Sequence, residues 1–163
     1  GNTGIGSLAI KPEEGGRRFT VHTVTGQTYL DRLDRTRPTL FKIDVEGYEV
    51  KVLKGIEASL DWPEIGLIAE VNDEMLKRAG DSVEQLDEML QGHGFQPYKV
   101  NLSRERLSRP LKITGPIPIR EAIADHWRDM LFLKPESKLY RERIAPLVTA
   151  PNRRVETAMA ATH

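Results

Sequence analysis

Phe41 to Gly55, FKIDVEGYEVKVLKG, contains an abrupt change of pattern. Leu40-Phe41-Lys42-Ile43-Asp44-Val45 has the β-branched and aromatic content of a buried strand. Two acids, Asp44 and Glu46, and then Gly47 bring it to a stop. Val50, Leu53 and Ile56 follow at helical spacing, with Lys51 and Lys54 available for the wet side. A strand that stops at acids and a glycine and runs straight into a helix places those acids at the carboxyl end of the strand. Open α/β sheets bind their ligands there.

Downstream, the helix extends from Tyr48 to about Leu60, where Trp62-Pro63 breaks the chain. Ile65-Gly66-Leu67-Ile68-Ala69-Glu70-Val71 reads as a parallel strand buried on both faces, and it too ends in polar groups, Glu70, Asn72 and Asp73. Ser82 caps a helix whose apolar stripe is Val83, Leu86, Met89 and Leu90, and Gly92-His93-Gly94 closes it. Phe95 to Leu102 is a third strand, weakened by Pro97. Ser103 to Ala124, interrupted by Pro110, Pro116 and Pro118, reads as a long loop with one short helix near Glu121. Trp127 to Leu133 is a last strand, Ser137 to Leu147 a helix, and Pro151 to His163 a disordered end. Upstream, Arg18 to Val24 alternates as a half-exposed strand, and Thr28 caps a short helix over Tyr29 to Leu33. Strands alternating with helices predict an α/β fold with a mainly parallel sheet and right-handed crossovers. The glycines of Gly1 to Leu8, GNTGIGSL, do not make a dinucleotide loop, because a turn rather than a helix follows at Lys11-Pro12.

At 163 residues the chain is long enough for one domain with a real core. Its 24 basic and 24 acidic residues cancel, which argues against a nucleic-acid partner. No stretch reaches the length of a membrane span, and no signal peptide is evident. The absence of cysteine excludes disulfides, thiolate metal sites and cysteine nucleophiles together, and a cytoplasmic location is the default expectation.

The segment from Phe41 to Gly55 closely resembles the signature of the FkbM-type methyltransferases, carried here by Lys42, Ile43, Asp44, Val45, Glu46, Gly47, Glu49, Val52, Leu53, Lys54 and Gly55. Asn2, Gly4, Ser7 and Leu8, the pair Leu30-Asp31, and Ile68-Ala69-Glu70-Val71 are similar to flanking features of the family, so the likeness spans about Asn2 to Leu133. The resemblance implies a partial Rossmann-like class I methyltransferase sheet, mainly parallel with an antiparallel last strand, over residues 1–135, followed by a helical or disordered tail over 136–163. It also implies S-adenosylmethionine as methyl donor and a hydroxyl of a sugar, glycan or secondary metabolite as acceptor. The family holds its donor mainly with three strands and a glycine loop that precede the segment seen here. The chain is therefore expected to be the carboxyl-terminal half of the catalytic domain, a fragment inactive by itself. The signature strand would then form an open, apolar sheet edge. An alternative reading is a non-catalytic α/β module that associates through that edge, with a second copy or with another chain that completes the sheet.

Methyl transfer to a hydroxyl needs aligned reactants, removal of a proton and exclusion of water. Under the resemblance, Asp44 and Glu46 are the catalytic candidates, to orient or deprotonate the acceptor. Lys42, Asp44 and Glu46 fall on one side if the strand stays extended through Glu46. Lys42, Glu70 and Asn72 are the substrate-binding candidates, with Lys42 expected to pair with an acid. The competing role for Asp44, Glu46 or Glu49 is to cap the following helix. His22, His93, His126 and His163 show no metal-ligand spacing, and an Asp44–Glu46–Asp73 cation site has no direct support, so no metal is expected.

Overall fold

Periodicity becomes geometry first at the signature. The computed structural model describes residue 20 and residues 22–100, 112–124, 126 and 128–151. The first strand, β1, covers Thr39–Ile43, and β2 covers Ile65–Glu70 parallel to it, with Phe41 opposite Leu67 and Ile43 opposite Ala69. Between them lie two short helices, α2 (Glu49–Lys54) and α3 (Glu57–Leu60), where the sequence predicts one. The interruption has a cause in hydrogen bonding. The Gly55 carbonyl accepts from the Gln27 amide at 3.0 Å, while the Ser59 amide turns to the Ile56 carbonyl at 2.8 Å. Gln27 opens α1 (Gln27–Leu30), which starts earlier than expected, with Gly26 at its N-cap and no side-chain cap, so Thr28 lies inside the helix. Of the expected strand from Arg18 to Val24, the described residues 20 and 22–24 form no strand; the others lie outside the described residues.

After β2 come α4 (Asp73–Arg78), which the apolar pattern does not reveal, and α5 (Val83–Gly92), which carries the expected Ser82 cap as a full capping box with Gln85. Then follow β3 (Gln96–Val100), β4 (Ile113–Thr114), α6 (Ile119–Ala124) and β5 (Asp129–Leu133). A π-helical turn, Tyr140–Ile144, runs through a short 3-10 turn into β6 (Val148–Thr149), where a regular helix is expected. Trp127 and the expected disordered end beyond Pro151 lie outside the described residues.

The six strands form one sheet in the order β1-β2-β5-β3-β4-β6. Pairing is parallel between β1 and β2 and between β4 and β6, and antiparallel across the three joints that β5, β3 and β4 make. The sheet is thus mixed rather than mainly parallel. The expected antiparallel last strand is β5, and it does not add to an edge. It inserts between β2 and β3, so two strands that run the same way never touch. One face of the sheet carries the main core, to which Leu30, Val50, Leu53, Leu76, Leu86 and Ile119 contribute from the helices. The other face carries a smaller core of Tyr98, Val100, Ile113, Leu131 and Leu133 beneath the π-helical turn. Among the described residues, β1 has a neighbour on one side only, and Leu40 on it is 56% exposed. No helix of the described residues is long and apolar enough to cross a membrane.

Candidate functional site

The chain leaves β1 at Ile43 and does not stay extended. Glu46 has φ 51° and Gly47 φ 102°, so the backbone turns through the left-handed region before α2 begins. The expected alternation of Lys42, Asp44 and Glu46 along one side therefore ends at Asp44. A turn of this kind brings Glu46 back over the carboxyl ends of β1 and β2. Gly47 is required twice over: by its φ, and because a Cβ there would stand 2.3 Å from the carbonyl oxygen of Met75 on α4.

Asp44, Glu46, Gly47, Glu49, Glu70 and Asn72 line one small, shallow pocket, too tight in this conformation to admit a water-sized group. Four of the five residues expected at the site meet here; Lys42 is not in the lining. Lys42 stands beside it, paired with Asp44, which holds the lysine ammonium above its ordinary range. Asn72 has a second duty, since its Oδ1 accepts from the amides of Glu74 at 3.1 Å and Met75 at 3.3 Å and caps α4. Glu70 lies directly opposite Asp129 on β5. Burial, followed by the negative charges of Asp44, Glu46 and Asp129, pushes the Glu70 carboxyl above the ordinary carboxylate range, while Arg128 at 4.0 Å pulls the other way.

The capping role considered for Asp44 and Glu46 is not what the helix uses. Helix α2 has no side-chain cap, and the carboxylate engaged with the turn is Glu49, whose Oε1 accepts from the Gly47 amide at 3.1 Å. Glu49 is 1% exposed, and its Oε2 is buried with no hydrogen-bond partner among the described residues. Glu49 and Gly47 are the pocket residues that sequence reasoning did not single out as ligand-facing. The available signal was a glycine between two acids, which marks a turn whose flanking carboxylates must find amide donors.

Asp73 is engaged elsewhere, by Lys77 at 2.9 Å and Arg120 at 3.0 Å, and takes no part in the pocket lining. His93 Nδ1 lies 2.7 Å from Asp61 Oδ1, while His22 and His126 are exposed; His163 lies outside the described residues. Among the described residues no group of three or more histidine or acidic side chains could hold a metal ion.

The family model for the methyltransferase FkbM domain matches residues 2–97, more than half of the chain. The chain belongs to the FkbM methyltransferase family. The matched region contains β1, the Glu46–Gly47 turn, α2, β2 and α4, and so every residue that lines the pocket. Comparison with curated proteins and with solved structures returns no match.

Proposed function

We propose that this FkbM domain is part of an S-adenosylmethionine-dependent O-methyltransferase that acts on a hydroxyl of a sugar, glycan or secondary metabolite. The observation that carries the reading is the convergence of Asp44, Glu46 and Glu70 at the carboxyl ends of two parallel strands. Within that reading we give the two catalytic candidates different parts. Asp44 is tied to Lys42, whereas Glu46 has no cationic partner among the described residues. Glu46 is therefore the group to accept the acceptor's hydroxyl proton, and Asp44 with Lys42 the pair that orients it. Glu70 and Asn72 flank the acceptor.

The methyl donor, when bound, supplies an electrophilic methyl group next to this hydroxyl. The pocket's carboxylates suit a cationic donor rich in hydroxyl and amine hydrogens. They provide no cradle for its adenosine, which in our reading is held by strands upstream. We accordingly take residues 1–135 as the carboxyl-terminal half of a Rossmann-like catalytic sheet and residues 136–163 as its tail. The position of β1 at the sheet edge supports this assignment.

The test is methyl transfer by a version of the chain extended upstream, assayed against a panel of sugars and glycans with labelled donor. Transfer that falls at least about 100-fold in Glu46→Gln supports the assignment. Full turnover in both Glu46→Gln and Asp44→Asn would return these acids to a purely turn-forming role. A second reading, association of the module through β1, is favoured by the exposed Leu40 on a strand with one neighbour. The two readings separate on whether the extended version transfers methyl groups or only assembles.

A further inference from the structure

We propose that Lys51 is a positioning residue of the site: it grips the last turn of α4 and so fixes the Glu46–Gly47 turn, and with it the carboxylate that takes the acceptor's proton. The role depends on the methyltransferase reading, in which Glu46 is that proton acceptor; the clamp itself is a matter of contacts within the fold.

The periodicity of α2 leaves Lys51 for the wet side, and its side chain is 43% exposed. Its ammonium does not end in solvent, however. It donates to the Ala79 carbonyl at 2.6 Å, pairs with Asp81, and lies 4.8 Å from the centre of the Tyr48 ring. The Asp81 side chain is only 8% exposed, and a carboxylate so shielded needs a cation beside it. Ala79 and Asp81 both belong to the segment that ends α4. One further hydrogen bond connects this grip to the site. The Ala79 amide donates to the Met75 carbonyl at 3.0 Å, and this is the carbonyl against which Gly47 rests with no room for a Cβ. The Asp81 amide donates to the carbonyl of fully buried Leu76 at 2.9 Å, so the segment that Lys51 holds moves with the helix. On the other side, Glu49 Oε1 accepts from the Gly47 amide, and Glu49 and Lys51 stand on the same helix. The turn is thus held between α2 and α4, with Lys51 linking the two. Such holding matters here because Glu46 has φ 51°, a conformation that a non-glycine residue keeps only where its surroundings impose it. A base displaced by about 1 Å can lose on the order of 100-fold in rate.

The experiment has two arms. Nitrogen–proton NMR of the full 163-residue chain compares Lys51→Met, which keeps the stem but loses the charge and the donors, with Lys138→Met, which breaks an exposed ion pair outside the site. Lys51→Met is expected to shift the amide signals of Glu46, Gly47 and Ala79 while those of β5 stay in place, and Lys138→Met to leave all of them unmoved. In the version extended upstream, Lys51→Met is expected to lower kcat about tenfold with KM changed by less than about twofold, because substrate contacts remain and only the base is displaced. If Lys51→Met does not fold, the double variant Lys51→Met/Asp81→Leu leaves no shielded charge unpaired and takes its place. It still releases the Ala79 carbonyl, so the same shifts and the same loss are expected. Unmoved Glu46 and Gly47 amides, or a lower denaturation midpoint with kcat intact, would make Lys51 a structural residue only and overturn the proposal. The two readings fail separately. Transfer by the extended version with these amides unmoved removes only the positioning role, and moved amides without any transfer by the natural extended sequence remove only the proposed reaction.

Discussion

Gly47 shows how one residue can set a site. Its φ of 102° and the 2.3 Å that would separate a Cβ from the Met75 carbonyl oxygen leave no side chain an accommodating position. Gly47→Ala must either unwind the turn or push α4 away. We expect it to destabilise the fold by about 2 kcal/mol or more, read as a lower midpoint in chemical denaturation. A loss below about 0.5 kcal/mol would show that α4 yields easily. Glu70 gives a second residue-scale prediction, with a definite sign. Burial and the acids around it raise its proton affinity in the folded state. A raised carboxyl costs the fold nothing while it is protonated, and the cost grows as pH rises through its folded pKa. Glu70→Gln should therefore stabilise the chain near neutral pH, by about 0.5 kcal/mol after allowance for its partial exposure. The gain should vanish below the ordinary carboxylate range, and denaturation at about pH 7 and about pH 3.5 checks it. A gain that persists in acid would point to packing rather than charge.

Helix α4 sits at the next scale, because its backbone is what the Gly47 turn packs against. Its start is secured by Asn72, whose Oδ1 accepts from two amides. Asn72→Ala should cost about 1 kcal/mol, and Asn72→Asp, which keeps an acceptor oxygen, should cost much less. Equal losses in thermal melts of the two variants would mean that the cap contributes little. This helix also shows where reading from sequence stopped. Asn72-Asp73-Glu74 is a helix-start signal, but at the end of an apolar strand it reads equally well as ligand-facing polar residues, and six residues are too few to establish a period. Strands β2 and β5 and helix α5 were legible because each buries a continuous or regularly spaced apolar set, and β1 because its β-branched and aromatic content is that of a strand. The mixed order of the sheet was not, since alternation of strands and helices does not say where a late strand inserts. For the site, the acids at two strand ends were legible as a group. The left-handed turn at Glu46 and Gly47 lies against Met75, and Glu49 folds back to accept from the Gly47 amide; no local pattern encodes either.

For the molecule as a whole, the position of β1 governs the expectations. Its side chains alternate correctly: Ile43 is 2% exposed on the main-core face, and Leu40 is 56% exposed on the other. Its outer backbone edge has no partner strand among the described residues, and neither proline nor a bulge protects Thr39–Ile43. If the edge drives self-association, Leu40→Lys should lower it in sedimentation experiments while leaving stability within about 0.5 kcal/mol, because an exposed side chain loses little on substitution. If instead upstream strands cover this edge in the catalytic unit, the consequence appears in donor binding. Acids at the ends of β1 and β2 can meet the hydrogen-bond donors of S-adenosylmethionine, but they bury too little of it to bind it tightly alone. Calorimetry should therefore detect no tight binding of the donor to the 163-residue chain and clear binding to a version extended upstream. The same extension should suppress self-association, since one strand cannot pair twice along one edge. Tight donor binding by the 163-residue chain would show that the described sheet is a sufficient donor site, and would confine the role of the β1 edge to assembly.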